Sequence, residues 1–151
     1  MATPTYELLF TTTILVAAPL TITGIPSDYG DLVLAHDSGY NQMRVNNNTP
    51  TSTYSMVRIT GNSSGATSFA DNSSEIYHPD MAGKEGTTIV NFMDYSSTDK
   101  HKSILIRMSS HVIDVLTAMA ARWPDTSAIN EINLISNLRV GSVVSLYGVA
   151  K

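Results

Sequence analysis

Apolar and polar side chains that alternate with a period of two are the pattern of a strand with one buried and one wet face. Residues 20–25 (Leu-Thr-Ile-Thr-Gly-Ile) follow it closely. Residues 87–95 and 103–109 predict the two clearest central strands. Residues 6–16 are rich in β-branched and aromatic side chains and lack Gly and Pro, which favours a strand that Pro19 then breaks. Shorter strands are predicted at 31–36, 42–45, 54–60 and 75–78, and the last third reads as turn, strand, turn, strand, ending on 141–149. Between them stands turn chemistry: Pro26-Ser27-Asp28-Tyr29-Gly30, the Asn-rich run 46–52, the turn-rich stretch 79–86 and the polar connection 96–102. Residues 61–74, dominated by Gly, Asn, Ser and Thr, predict a long exposed loop suited to contact with a neighbour. Residues 112–123 fit two patterns, because Val112, Leu116 and Ala120, or Val115 and Met119, also make a helical stripe; the surrounding strands favour a strand. About nine or ten short strands separated by turns imply an all-β antiparallel sandwich or barrel, and the final strand is expected to complete a single domain over residues 1–151.

Composition narrows the partners. A chain of 151 residues, 42% hydrophobic and 15% charged, can bury a sizeable core and is not the composition of a disordered chain. There is no cysteine, so disulfides and thiolate sites are excluded. A net charge of −4 opposes attraction to phosphate backbones, and nucleic acid is not an expected partner. No Lys or Arg precedes Arg44, and the apolar run 14–20 is short and broken by Pro19. It is neither a secretory signal nor a membrane span, so no membrane partner is expected and synthesis in the cytoplasm is.

Candidate chemistry is sparse. His36, His78, His101 and His111 are scattered without metal-ligand spacing, although a fold could bring His36 to Asp37 or His78 to Asp80. Ser110, His111 and Asp114 hold the residue types of a hydrolytic triad, but triads are assembled from distant segments and no nucleophile elbow is present. The carboxylate pairs Asp28 with Asp31 and Asp94 with Asp99 suit turns better than sugar hydrolysis. Gly61-Asn62-Ser63-Ser64-Gly65 is no phosphate cradle, because no Lys follows it and no helix opens there. The N-x-[ST] triplets at Asn47, Asn62 and Asn72 would matter only in a secreted protein. Tyr40, Tyr54, Tyr77 and Tyr95, near loop starts, could stack on sugar rings if exposed. No catalytic residue, cofactor or metal site is expected.

An ordered set of motifs adds a resemblance. Tyr6-Glu7-Leu8-Leu9, the segment 20–26, Tyr29-Gly30-Asp31-Leu32, the Asn-rich loop leading to Tyr54-Ser55, and Gly61-Asn62-Ser63-Ser64 occupy the first half. The turn 94–102, the segment 123–134 and the closing stretch 141–148 occupy the second. In this order they resemble a group of small tailed-phage virion proteins. The resemblance implies a jelly-roll-like β-sandwich on the outside of a phage particle, either decorating the head or forming the tip of a tail fibre. With no stalk or collagen-like repeat, the chain suits a head decoration (cement) protein: non-enzymatic, bound to the major capsid protein, and a homo-oligomer, expected to be a trimer at three-fold positions. Residues 1–6 and 61–74 are the expected contact segments. The alternative is a tail-tip module that binds host-surface glycan.

Overall fold

In the computed structural model, residues 5–38, 42–50, 53–77, 85–110, 112 and 114–151 are described, and alternation becomes strand almost wherever it occurs. The described residues form β1 (Tyr6–Thr13), β2 (Leu20–Thr23), β3 (Asp31–His36), β4 (Met43–Val45), β5 (Tyr54–Asn62), β6 (Gly65–Ser73), β7 (Gly86–Met93), β8 (Lys102–Ser110), β9 (Val115–Trp123), β10 (Glu131–Leu134) and β11 (Val143–Val149). Eight of them make one sheet in the order β1-β11-β3-β7-β8-β9-β5-β6, and three make a second in the order β2-β10-β4. Every strand pairing is antiparallel. The fold is an all-β, antiparallel, jelly-roll-like sandwich.

Register shows how the core is built. One row of cross-strand partners runs the width of the large sheet: Phe10, Leu146, Leu34, Val90, Ile106, Met119, Arg58 and Phe69. Two residues along, Leu32, Phe92, Ile104, Ala121 and Met56 make a parallel row on the same face. The small sheet offers Ile22, Ile132 and Val45 in one row and Leu20, Leu134 and Met43 in the next. Except for Arg58 and Phe69 at the β6 end, these side chains join in a single cluster anchored by the fully buried Trp123, Tyr54, Tyr95 and Phe92. Burying each large apolar side chain contributes roughly 1.5–3 kcal/mol, so the sandwich is held by area rather than by staples.

Three segments differ from, or settle, the sequence reading. Residues 61–74 are not a loop: β5 and β6 pair without interruption from Tyr54↔Ser73 to Asn62↔Gly65, and only Ser63 and Ser64 lie between the strands. The Asn62 side chain caps this turn by accepting the Ser64 N–H at 2.9 Å. Residues 112–123 are strand from Val115 onward, with Thr117, Met119, Ala121 and Trp123 buried and the helical stripe unused. The predicted strand at 75–78 shrinks to one bridge, Met43↔Ile76, with His78 outside the described residues, as are positions 79–84 of the predicted turn.

Gly148 on β11 is required by packing. A Cβ there would lie 2.4 Å from the Tyr29 ring. Gly148→Ala is expected to push that ring aside and cost about 1–2 kcal/mol. Urea unfolding of the variant checks this, and an unchanged midpoint would contradict the close approach.

Candidate interaction surface

The outer face of the large sheet is the unusual surface of this molecule. An antiparallel sheet with one covered face normally carries polar residues on the other. Here several strands are apolar at both parities: β5 follows Met56 with Val57 and places Ile59 two residues on, and β8 runs Ile104-Leu105-Ile106. Val57, Ile59 and Leu116 are each more than half exposed, at 56%, 61% and 65%, and Leu105 stands beside them. Cross-strand register assembles one outer row from Val33, Asn91, Leu105, Ala120, Val57 and Ala70, and the next from Ala35, Ile89, Arg107, Ala118, Ile59 and Ser68.

Because β9 contributes only Ala118 and Ala120 between the taller Leu105 and the Val57–Ile59 ridge, a trough runs along it. Its two adjoining depressions measure about 570 Å³ and 420 Å³. The cations on this part of the face are guanidinium groups, and Asp71 lines the larger depression at its β6 end. Arg107 donates to Asn91 Oδ1 at 3.2 Å, and Arg122 Nε donates to His101 Nδ1 at 3.2 Å. A contiguous exposed apolar face of this kind marks an interaction site more often than an idle surface.

The residues singled out from sequence take other places. Tyr54 and Tyr95 are fully buried, which corrects their reading as exposed stacking platforms. Tyr54 is inward because β5 begins on its core-facing parity; its hydroxyl accepts the Val45 N–H at 2.9 Å, and burial pushes its pKa up to about 12. The Tyr95 hydroxyl donates to the Pro26 carbonyl. Tyr77 is half-buried and donates to Asp71 Oδ2 at 2.6 Å, while Tyr40 lies outside the described residues.

His36 and Asp37 do not converge. His36 points into the core, whereas Asp37 Oδ1 accepts the Val143 N–H at 2.8 Å. His78, Asp80 and His111 lie outside the described residues, and the Ser110 hydroxyl donates to the Glu85 carbonyl at 2.7 Å. Among the described residues, no group of three or more His, Asp or Glu side chains is placed to hold a metal ion.

The carboxylates organise turns. Asp31 Oδ1 accepts the Asp94 N–H at 2.7 Å, Asp94 holds Lys100 at 2.8 Å, and the Ser97 hydroxyl holds the Asp99 carboxyl below its ordinary range. The Asn-rich loop is tied down by Asn46, which sits at φ 52°, donates to the Ala128 carbonyl at 2.8 Å and accepts the Asn130 N–H at 3.0 Å. Asn tolerates this left-handed conformation better than most residues.

Two buried ionisable groups carry local electrostatics. Lys102 opens β8 with its side chain inside, and its ammonium donates to the carbonyls of Ser97 at 2.7 Å, Lys100 at 2.9 Å and Thr126 at 3.2 Å. Burial lowers its pKa, with Asp125, Asp99 and Asp94 opposing. His36 lies among Met43, Val90, Ile106, Met108 and Leu134, and burial holds its pKa at about 4. Its Nδ1 has no hydrogen-bond partner among the described residues.

No family model and no curated protein matches the chain. Among solved structures it is similar to a basic winged bean lectin with Tn-antigen, at 6% identity over 87% of this chain and 78% of that one, with a TM-score of 0.29. It is also similar to lectin I-B4 from Griffonia simplicifolia in its metal-free form, at 8% identity over 85% and 75% of the two chains, with a TM-score of 0.26. Neither likeness carries an argument about what this chain binds.

Proposed function

We propose that this chain is a non-enzymatic structural protein of a tailed-phage virion, a decoration protein that sits on the head exterior and holds neighbouring major capsid proteins together. The observation that supports this reading is the apolar outer trough along β9, with Val57, Ile59, Leu105 and Leu116 presented to solvent and Arg107 and Arg122 beside them. Covering such a face on an assembled shell would contribute about 25 cal/mol for each Å² of apolar surface removed from water. Contacts made only in the assembled state stabilise it by mass action. The ordered virion-type motifs point the same way.

The reading is tested by adding purified protein to heads that lack it. Saturable co-sedimentation with heads, together with a higher temperature of genome release, is expected, and Val57→Asp should abolish both. Antibody signal confined to the tail would overturn the reading in favour of the glycan-binding tail-tip alternative. That alternative loses two of its four aromatic platforms with Tyr54 and Tyr95 in the core.

A further inference from the structure

We propose that β6 is the edge through which two copies of this chain pair, antiparallel and across a two-fold axis, to give a dimer with a continuous sheet. An edge strand presents backbone N–H and C=O groups at alternate residues to whatever can pair with them, and proteins usually blunt such edges. Three of the four edges here are blunted. The ladder of β1 is broken by a register shift between Leu8 and Phe10. The small sheet ends on β2 and β4, of four and three residues, and Met43 of β4 is already bridged by Ile76.

The fourth edge, β6, differs in each respect. It runs nine residues (Gly-Ala-Thr-Ser-Phe-Ala-Asp-Asn-Ser) in unbroken register, with no Pro, Lys or Arg. Seven of its nine residues are exposed, and among the described residues no strand lies beyond it.

Its charge and side-chain sizes favour a second copy as the occupant. A two-fold contact sets the same surface against itself, so any charge on the axis would repel its own image. The ionisable group on β6 is Asp71, near one end, already engaged by the Tyr77 hydroxyl at 2.6 Å and the Asn72 N–H at 2.8 Å. Antiparallel pairing centred on Phe69 keeps the two Asp71 carboxylates on opposite sides of the axis, each across from a Thr67. The outer face at the seam carries the small Ala66, Ser68 and Ala70, with Asn72 across from Ala66 in this register. On the inner face the Phe69 rings, 45% exposed in one copy, would meet at the axis; the Arg58 guanidinium that reaches over each ring from β5 at 4.4 Å is the cation brought near it, and Asp71 of the same copy lines the same small depression as its counter-charge. Such a contact gives a dimer in place of the expected trimer, and it stands whether or not the chain decorates a head.

The experiment is sedimentation equilibrium of the full chain at micromolar concentration, beside Ser68→Lys/Ala70→Lys and Val57→Asp. In the proposed register position 68 faces position 70 of the other copy, so the double lysine variant sets like charges directly opposite each other. Twice the monomer mass is expected for the native chain and for Val57→Asp, and monomer with a native circular dichroism spectrum for the lysine pair. A monomeric or trimeric native chain, or a dimer that survives the lysine pair, overturns the proposal. Should the lysine variant fail to fold, hydrogen exchange on the native chain decides: the alternate, outward-facing amides within 65–73 should gain about tenfold protection or more on going from nanomolar to micromolar protein, and no gain overturns the proposal. Head binding lost in Val57→Asp while the dimer persists separates this contact from the decoration reading.

Discussion

Replacing Lys102 by methionine lowers the unfolding free energy by about 3 kcal/mol. Methionine nearly matches the volume of the lysine stem, so little cavity forms, and the loss comes from the ammonium alone. Three carbonyls, those of Ser97, Lys100 and Thr126, lose their donor together. An acceptor left unpaired costs about 1–3 kcal/mol when buried and less where water can replace the donor, as at the exposed Lys100 and Thr126. Relief of the ammonium's own desolvation, visible in its lowered pKa, offsets part of that sum. The same three bonds pin the 94–102 connection to the segment after Trp123, so faster hydrogen exchange should appear in both segments. Urea unfolding measures the total, and a loss below about 1 kcal/mol would mean that the ammonium adds little beyond its hydrocarbon stem.

Acidification from pH 6.5 to 4 removes about 3 kcal/mol of stability through His36 alone. Burial depresses the folded-state pKa to about 4, whereas an unfolded histidine titrates near its ordinary value of 6.5. Over this window the unfolded chain takes up a proton that the folded chain refuses. Stability is therefore full above pH 6.5 and falls until the folded group also protonates, near pH 4. His36→Leu removes the titration and should flatten the profile over this window by the same amount. Denaturant midpoints from pH 4 to 7 decide the matter; parallel profiles for the two proteins would show that His36 is not held neutral by the core.

Much of the fold was legible because apolar, β-branched runs such as those of β2, β7 and β8 stand between clusters of turn residues. Where legibility failed, the physical reason differs in each case. β6 has almost no buried face, so its side chains carry no alternation; it is a strand because β5 offers a complete backbone ladder, and no composition rule for Gly, Asn and Ser detects that. In β9 the outward Ala118 and Ala120 blur the contrast between faces and allow a helical stripe to compete.

The candidate surface had a signal that went unused: apolar residues at adjacent positions, such as Met56-Val57 and Ile104-Leu105-Ile106, in strands whose sheet covers only one face. The tyrosines misled because proximity to a loop does not fix parity, and Tyr54 enters β5 facing inward. Nothing local marks Lys102 as internal; its three carbonyl partners come from two separate turns brought together only by the fold.

Pairing β1 with β11 has a kinetic consequence. Thr11 meets Ser145 across a separation of 134 residues, and Ala150 donates to the Thr5 carbonyl at 3.0 Å. Loop closure over such a span is entropically costly and slows folding. During translation β1 therefore emerges long before its neighbour in the sheet exists, while the local β5–β6 and β7–β8–β9 ladders can already close. Docking of β1 is the late event, and a ribosome stalled short of β11 would hold a nascent chain whose earliest strand is still waiting for its place.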